Sequence, residues 1–218
     1  MYLTRLILNP RSRRVQSELA DPYQMHRSLM RAFPEGVKQM DERVLFRLES
    51  DPRSGNLILL VQSQLEPDWS WLTEPGARGY LLPTSEPNPW VKRFDLCLEP
   101  GQRLAFRLRA NPTVKREGKR LGLVREEEQM AWLARKAEQG GFRLLSTRAA
   151  AQGDAEGWIK VDPAGGAPER RRYQMLTVQF DGVLEVSDPR RLQEAVANGI
   201  GSGKGFGFGL LSLAPFRE

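Results

Sequence analysis

Between Gly199 and Gly209 every second residue is a glycine, six in all, with Lys204 near the middle of the run. Glycine at every second position leaves half of the stretch with no side chain to pack. The stretch is therefore expected to be a connection whose backbone comes close to something else. Its surroundings fix its place. A helix is expected over 188–198, opened by Asp188 as N-cap and Pro189 at the first helical position, and a last strand over 208–214. The run is not a Walker A loop, because Lys204 is followed by Gly205 where Ser or Thr is required and Asn198 stands where the first glycine belongs. It is not a dinucleotide fingerprint either: no three glycines fit G-x-G-x-x-G, and the nine residues after Gly209 are too few for the helix that motif needs. Two readings survive, a cradle of backbone N–H groups plus one lysine for phosphates, and a tight helix-to-strand connection.

The rest of the chain alternates short strands and helices. Residues 1–9 read as a strand, broken by Pro10 and Arg11-Ser12-Arg13-Arg14. Asp21-Pro22 opens a helix expected to reach about Phe33, where Pro34-Glu35-Gly36 ends it. Strands are expected at 43–49 and 57–65 around Asp51-Pro52-Arg53-Ser54-Gly55, a short helical turn at 69–72, and a strand at 102–110 with Leu104, Phe106 and Leu108 inward. That order, β-α-β-β-(short α)-β, is the order of a ferredoxin-like unit. The second half repeats it loosely. A strand at 119–124 precedes a helix at 126–139 stopped by Gly140-Gly141, then a strand at 142–147 and a loop or hairpin over 149–169. Strands at 172–180 and 183–187 are expected to turn at Asp181-Gly182. The expectation is an α+β chain of two tandem ferredoxin-like (βαββαβ) domains, 1–111 and 119–218, joined by a linker at 112–118.

Composition narrows the chemistry. The 218 residues include one cysteine, Cys97, and one histidine, His26. This excludes an internal disulfide, fits a reducing cytoplasm, and leaves no His/Cys zinc site within one chain. A carboxylate-held Mg²⁺ has no spacing motif to support it. No apolar run approaches the ~20 residues of a membrane span, and Met1–Leu8 is too short and too alternating for a signal peptide. No cofactor, metal or membrane is expected. The net charge is +6, and arginine supplies 26 of the 33 basic residues. Guanidinium suits bidentate phosphate contacts, although a GC-rich genome produces the same bias.

The helix opened by Asp21 is the candidate catalytic element. At about 100° per residue, Met25, Leu29, Ala32 and Phe33 share one face. Tyr23, His26, Arg27 and Met30 lie along its edge, and Arg31 continues the basic side. Tyr23 and His26 are i,i+3 neighbours, so their polar tips can converge. A lone histidine in such a place is often no more than a half-buried surface residue.

The glycine run holds more pattern than richness alone. Gly199-Ile200-Gly201 and Gly207-Phe208-Gly209 are two Gly-hydrophobic-Gly triplets separated by five residues that include Lys204. Between a helix and the final strand of a ferredoxin-like unit, this resembles the signature loop of the repeat-associated RNA-binding proteins of CRISPR systems. Met1-Tyr2-Leu3-Thr4-Arg5-Leu6, Asp21-Pro22-Tyr23-Gln24-Met25-His26-Arg27 and Phe106-Arg107-Leu108-Arg109-Ala110-Asn111-Pro112 narrow the resemblance to one branch. That branch is the endoribonuclease that processes repeat RNA in the type I-E Cascade complex. The resemblance runs the length of the chain. It implies tandem ferredoxin-like domains and metal-independent cleavage of CRISPR precursor RNA beside a repeat stem-loop. It also implies retention of the mature guide RNA among the other Cascade subunits, a catalytic role for His26 and an assisting one for Tyr23.

The inventory suits that chemistry. RNA brings its own nucleophile, the 2′-hydroxyl beside the scissile phosphate, so the products are a 2′,3′-cyclic phosphate and a 5′-hydroxyl. An imidazole, titrating near pH ~6.5 in general, suits proton transfer. Tyr23 can donate a hydrogen bond, and Arg27 or Arg31 can offset developing charge. One histidine cannot be acid and base at once, so which proton it moves stays open. The expected RNA contacts are Arg27, Arg31, Arg109, Lys115, Arg170, Arg171, Arg172, Lys204 and the loop glycines Gly199, Gly201, Gly203, Gly205 and Gly207. Solvated charge alone also accounts for basic runs such as 103–120 and 170–172, and Trp69, Trp71 and Trp132 suit core or lid packing. Two other readings stand beside the enzyme: a non-catalytic RNA-binding subunit of the same complex, and a ferredoxin-like sensor of a small ligand. The pair Tyr23 and His26 favours the enzyme over the first. The basic charge and Lys204 disfavour the second.

Overall fold

The structure, a computed structural model, describes residues 1–37, 42–161 and 169–216, with residues 119, 160 and 161 described by backbone alone. It has two four-stranded antiparallel sheets. The first is built from β1 (Tyr2–Leu8), β2 (Leu45–Ser50), β3 (Leu57–Ser63) and β4 (Trp90–Arg93) in the order β2-β3-β1-β4. Between β1 and β2 run two helices, α1 (Arg13–Ala20) and α2 (Pro22–Leu29), the latter extended by a 3₁₀ turn over Met30–Ala32. The expected helical turn after β3 is a 3₁₀ turn at Ser70–Thr73, followed by another at Pro75–Ala77. Helix α1 fell where a break was expected. Ser12 caps it by accepting a hydrogen bond from the Val15 amide, and only Val15 and Glu18 of its eight residues are buried, so its apolar signal is faint. The predicted inner face of α2 holds: Met25, Leu29, Ala32 and Phe33 are all buried with Leu6, Leu8, Phe46 and Leu59.

The second sheet contains β5 (Arg103–Ala110), β8 (Phe142–Val161), β9 (Glu169–Val186) and β10 (Leu211–Pro215), ordered β10-β5-β9-β8. Helices α3 (Glu126–Gln139) and α4 (Pro189–Asn198) complete a βαββαβ unit whose core includes Leu108, Trp132, Leu133, Phe180 and Leu184. Strand 103–110, expected as the last strand of the first unit, is thus the first strand of the second. The chain passes between sheets after Arg93. Alternation showed that these residues were a strand but carried no information about its partner. The expected linker and the strand expected at 119–124 form a two-stranded hairpin, β6 (Thr113–Arg116) with β7 (Lys119–Gly122).

Asp181-Gly182 is no turn. Strand β9 runs straight through it, with Asp181 opposite Arg107 and Gly182 opposite Phe106. A bulge in β8 between Leu144 and Ser146 brings the Ser146 carbonyl to where it would collide with a Cβ on residue 182. The glycine there serves close backbone approach. The segment expected as loop or hairpin at 149–169 is the hairpin in its described residues: β8 continues to Val161 and pairs with β9 from Glu169 as a long arm, while residues 162–168 lie outside the described residues. Trp69, Trp71 and Trp132 are buried, as packing residues.

The two sheets are joined by a buried guanidinium. Arg47 on β2 is 2% exposed and donates to Glu49 Oε1 at 2.7 Å, to the Leu210 carbonyl at 2.9 Å and to Ser212 Oγ at 2.8 Å. Burial pulls its pKa down against the opposing pull of Glu49. Gln62 on β3 donates to the Val196 carbonyl of α4 at 2.7 Å, a second bridge. These contacts hold the first unit's helix α2 against the second unit's glycine loop.

Candidate nucleic-acid interface and active site

Asp21 and Pro22 position the candidate catalytic side chains. Asp21 Oδ1 accepts from the Tyr23 amide at 3.1 Å and caps α2 with Pro22 in its first turn, satisfying one of the otherwise orphaned amides. Burial of Met25 and Leu29 then sets the helix rotation, leaving Tyr23 and His26 half-buried along one flank and Arg27 exposed.

The glycine loop covers that flank. Gly203 and Gly207, both in the left-handed region with φ of 79° and 82°, bracket a 3₁₀ turn over Lys204–Phe206. Within it Gly205 faces the imidazole: a Cβ there would stand 3.3 Å from His26 Cδ2 and 3.5 Å from Nε2. His26 lies nearly parallel to Phe46, centroids 6.2 Å apart, while Tyr23 stacks on Phe206 at 5.6 Å. His26, Met30, Arg43, Lys204 and Gly205 line an open pocket of about 270 Å³. Burial, then the charges of Arg43 and Lys136, hold the Lys204 ammonium below the ordinary lysine value. Crowded cations of this kind are relieved by a bound anion.

The remaining expected contacts divide. Arg27, Arg31 and Arg170 line one polar hollow of about 640 Å³ with Arg14, Gln24 and Asp21, which brings the arm and the candidate catalytic helix to one site. Arg31 is also paired with Glu74 at 2.6 Å and lies over Trp71. Arg170 lies over the exposed Trp158, Arg172 is paired with Glu156, and Arg171 stands opposite Ile159 on the arm. Arg109 is half-buried with its guanidinium over the Phe208 ring, and its carbonyl accepts from the Gly209 amide at 2.8 Å, so it supports the loop from beneath. Lys115 is exposed on β6, which among the described residues pairs only with β7.

The glycines meet demands of the fold before any demand of a ligand. A Cβ on Gly199 would stand 2.8 Å from Leu45, one on Gly201 3.0 Å from Trp132 and one on Gly207 3.1 Å from Phe46. Gly205 differs, because its neighbour is the imidazole itself. Sequence reasoning missed Phe46, Phe206 and Arg43 at this site. Phe206, an aromatic beside the loop lysine, was the one with a readable signal.

Residues 1–215 match the family described as CRISPR associated protein. CRISPR-associated endoribonuclease Cse3 of Thermus thermophilus is 41% identical over 226 residues, covering 99% of this chain and all of that protein. CRISPR system Cascade subunit CasE of Escherichia coli strain K12 is 31% identical, covering 99% of this chain and all of its own length. The structure of Thermus thermophilus Cse3 bound to an RNA representing a pre-cleavage complex has a TM-score of 0.80 at 40% identity, over 98% of both chains. The crystal structure of Cas6e from Escherichia coli K-12 has a TM-score of 0.68 at 29% identity, over 99% of this chain and all of that one.

Proposed function

The chain belongs to the CRISPR associated protein family, and from that premise we propose that it is the endoribonuclease that cuts CRISPR precursor RNA within its repeats, beside a stem-loop. It retains the mature guide RNA as a subunit of a Cascade complex in the cytoplasm. No described helix is long and apolar enough to cross a membrane. The observation that carries the reading is the seating of His26 against Gly205, with Lys204 in the same pocket, in a chain 41% identical to a named CRISPR endoribonuclease.

The 2′-oxygen attacks the adjacent phosphorus and the bond to the 5′-oxygen breaks. One proton leaves the 2′-hydroxyl and one reaches the departing oxygen, and His26 moves one of them. Tyr23 hydrogen-bonds the reacting phosphate while Lys204 offsets its growing charge. Arg27, Arg31 and Arg170 hold the flanking strand in the polar hollow, and the arm tracks the stem. Purified protein mixed with a repeat transcript is expected to cut one phosphodiester and to co-elute with the stem-bearing product. Tight binding with no cut under any condition would make the chain a structural subunit.

Lys204 gives this reading a pH signature. Its lowered pKa means that its charge is lost sooner than an ordinary lysine's as pH rises. Affinity for a 2′-deoxy repeat, which cannot react, is expected to weaken between pH 7 and 9.5 more steeply in the unaltered protein than in Lys204→Arg, whose guanidinium stays charged. Superimposable curves for the two proteins would remove Lys204 from the phosphate contacts.

A further inference from the structure

The arm that carries Arg170 is hydrogen-bonded to the cap of the catalytic helix. Tyr173 on β9 is 8% exposed, and its hydroxyl donates to Asp21 Oδ1 at 2.8 Å, the same oxygen that receives the Tyr23 amide. Its ring packs edge-on against Phe206 at 4.5 Å, and Phe206 in turn stacks on Tyr23. The contact depends on a bare backbone opposite. Gly157 on β8 is the cross-strand partner of Tyr173, and a Cβ there would stand 2.5 Å from the Tyr173 hydroxyl and 2.6 Å from Asp21 Oδ1. Gly157 does not occupy the left-handed region. Its lack of a side chain therefore serves this approach and no turn. Both strands thus contribute to one latch: a tyrosine reaching across a glycine to the helix cap, and touching the loop that covers the active site.

We infer that Tyr173 is a positioning residue for cleavage, fixing Tyr23 and His26 through Asp21 and Phe206 and so coupling the docking of the arm on an RNA stem to the placement of the catalytic helix. This rests on the proposed function. The hydroxyl is a secure donor, since burial, then the hydrogen bond to Asp21 and its charge, push its pKa well up. Asp21 Oδ1 takes two donors at once, so losing one leaves the cap in place but free to rotate. Misplacement of reacting groups by a fraction of an ångström slows catalysis more than it weakens binding.

Two variants test this: Tyr173→Phe removes the donor, and Gly157→Ala keeps every partner but displaces the ring. Single-turnover cleavage of the repeat is compared with affinity for its 2′-deoxy form, well below each unfolding midpoint. Tyr173→Phe and Gly157→Ala are expected to cleave about tenfold more slowly, the loss of one hydrogen bond, with affinity within twofold. Hydrogen exchange across residues 21–26 is expected to quicken in both variants without RNA, a readout independent of cleavage. Either variant cleaving at the unaltered rate, or rate and affinity falling together, overturns the positioning role. An unaltered protein that does not cleave at all removes the proposed function, and the role with it, whatever the exchange data show.

Discussion

Replacing His26 by Ala is expected to slow repeat cleavage by roughly 10²–10⁴-fold, the usual worth of a positioned proton-transfer group, while affinity for the repeat changes less than twofold. The two effects separate because they have different sources. On the proposed function, binding is summed over many phosphate contacts along the arm, the polar hollow and Lys204, and one imidazole adds little to that sum. Cleavage needs a proton moved at one atom, and this chain has no second histidine to do it. His26 is half-buried against Phe46, so truncation also opens a gap. His26→Gln, which keeps more of the ring's volume, is expected to lose cleavage equally while unfolding closer to the original temperature. Single-turnover kinetics with a gel-shift titration and a thermal melt resolve all three. Cleavage within tenfold of the original in both variants would dismiss His26 from the chemistry.

The helix that carries Tyr23 and His26 was legible because its signals are local. Asp21-Pro22 announces a helix start by capping chemistry, and period 3.6 puts Met25 and Leu29 inside and so Tyr23 and His26 at the edge. The glycine spacing marked Lys204 and Gly205 as a special connection, and the structure sets Gly205 against the imidazole. What failed was non-local. Leu104, Phe106 and Leu108 alternate identically whichever sheet they join, so β5 was read into the first unit. Asp181-Gly182 has the composition of a type I′ turn, but Gly182 is required by the bulged neighbour strand, which no short-range pattern reports. The latch from Tyr173 to Asp21 spans 152 residues of sequence. It joins two ordinary side chains that nothing in either neighbourhood connects. The long arm was left between loop and hairpin because Ala149-Ala150-Ala151-Gln152-Gly153 lacks the β-branched residues that mark a strand, although its backbone pairs with β9 on both sides of the irregularity at 151–154.

On the proposed function the RNA cuts itself, with this chain placing the groups around the scissile phosphate. That claim is tested most directly by deleting one oxygen atom. A repeat RNA carrying a single 2′-deoxy nucleotide immediately upstream of the cut has lost the nucleophile and nothing else. It keeps its stem, its phosphates and its charge, and so its affinity. Proton transfer by His26 and charge relief by Lys204 have no attacking atom left to assist. The account predicts no product above the uncatalysed background from that RNA, binding within twofold of the all-ribose repeat, and full cleavage of the all-ribose repeat in EDTA. A cut in the 2′-deoxy repeat at the original position, or activity abolished by EDTA and restored by Mg²⁺, would contradict it and put a metal-activated water in place of the 2′-hydroxyl.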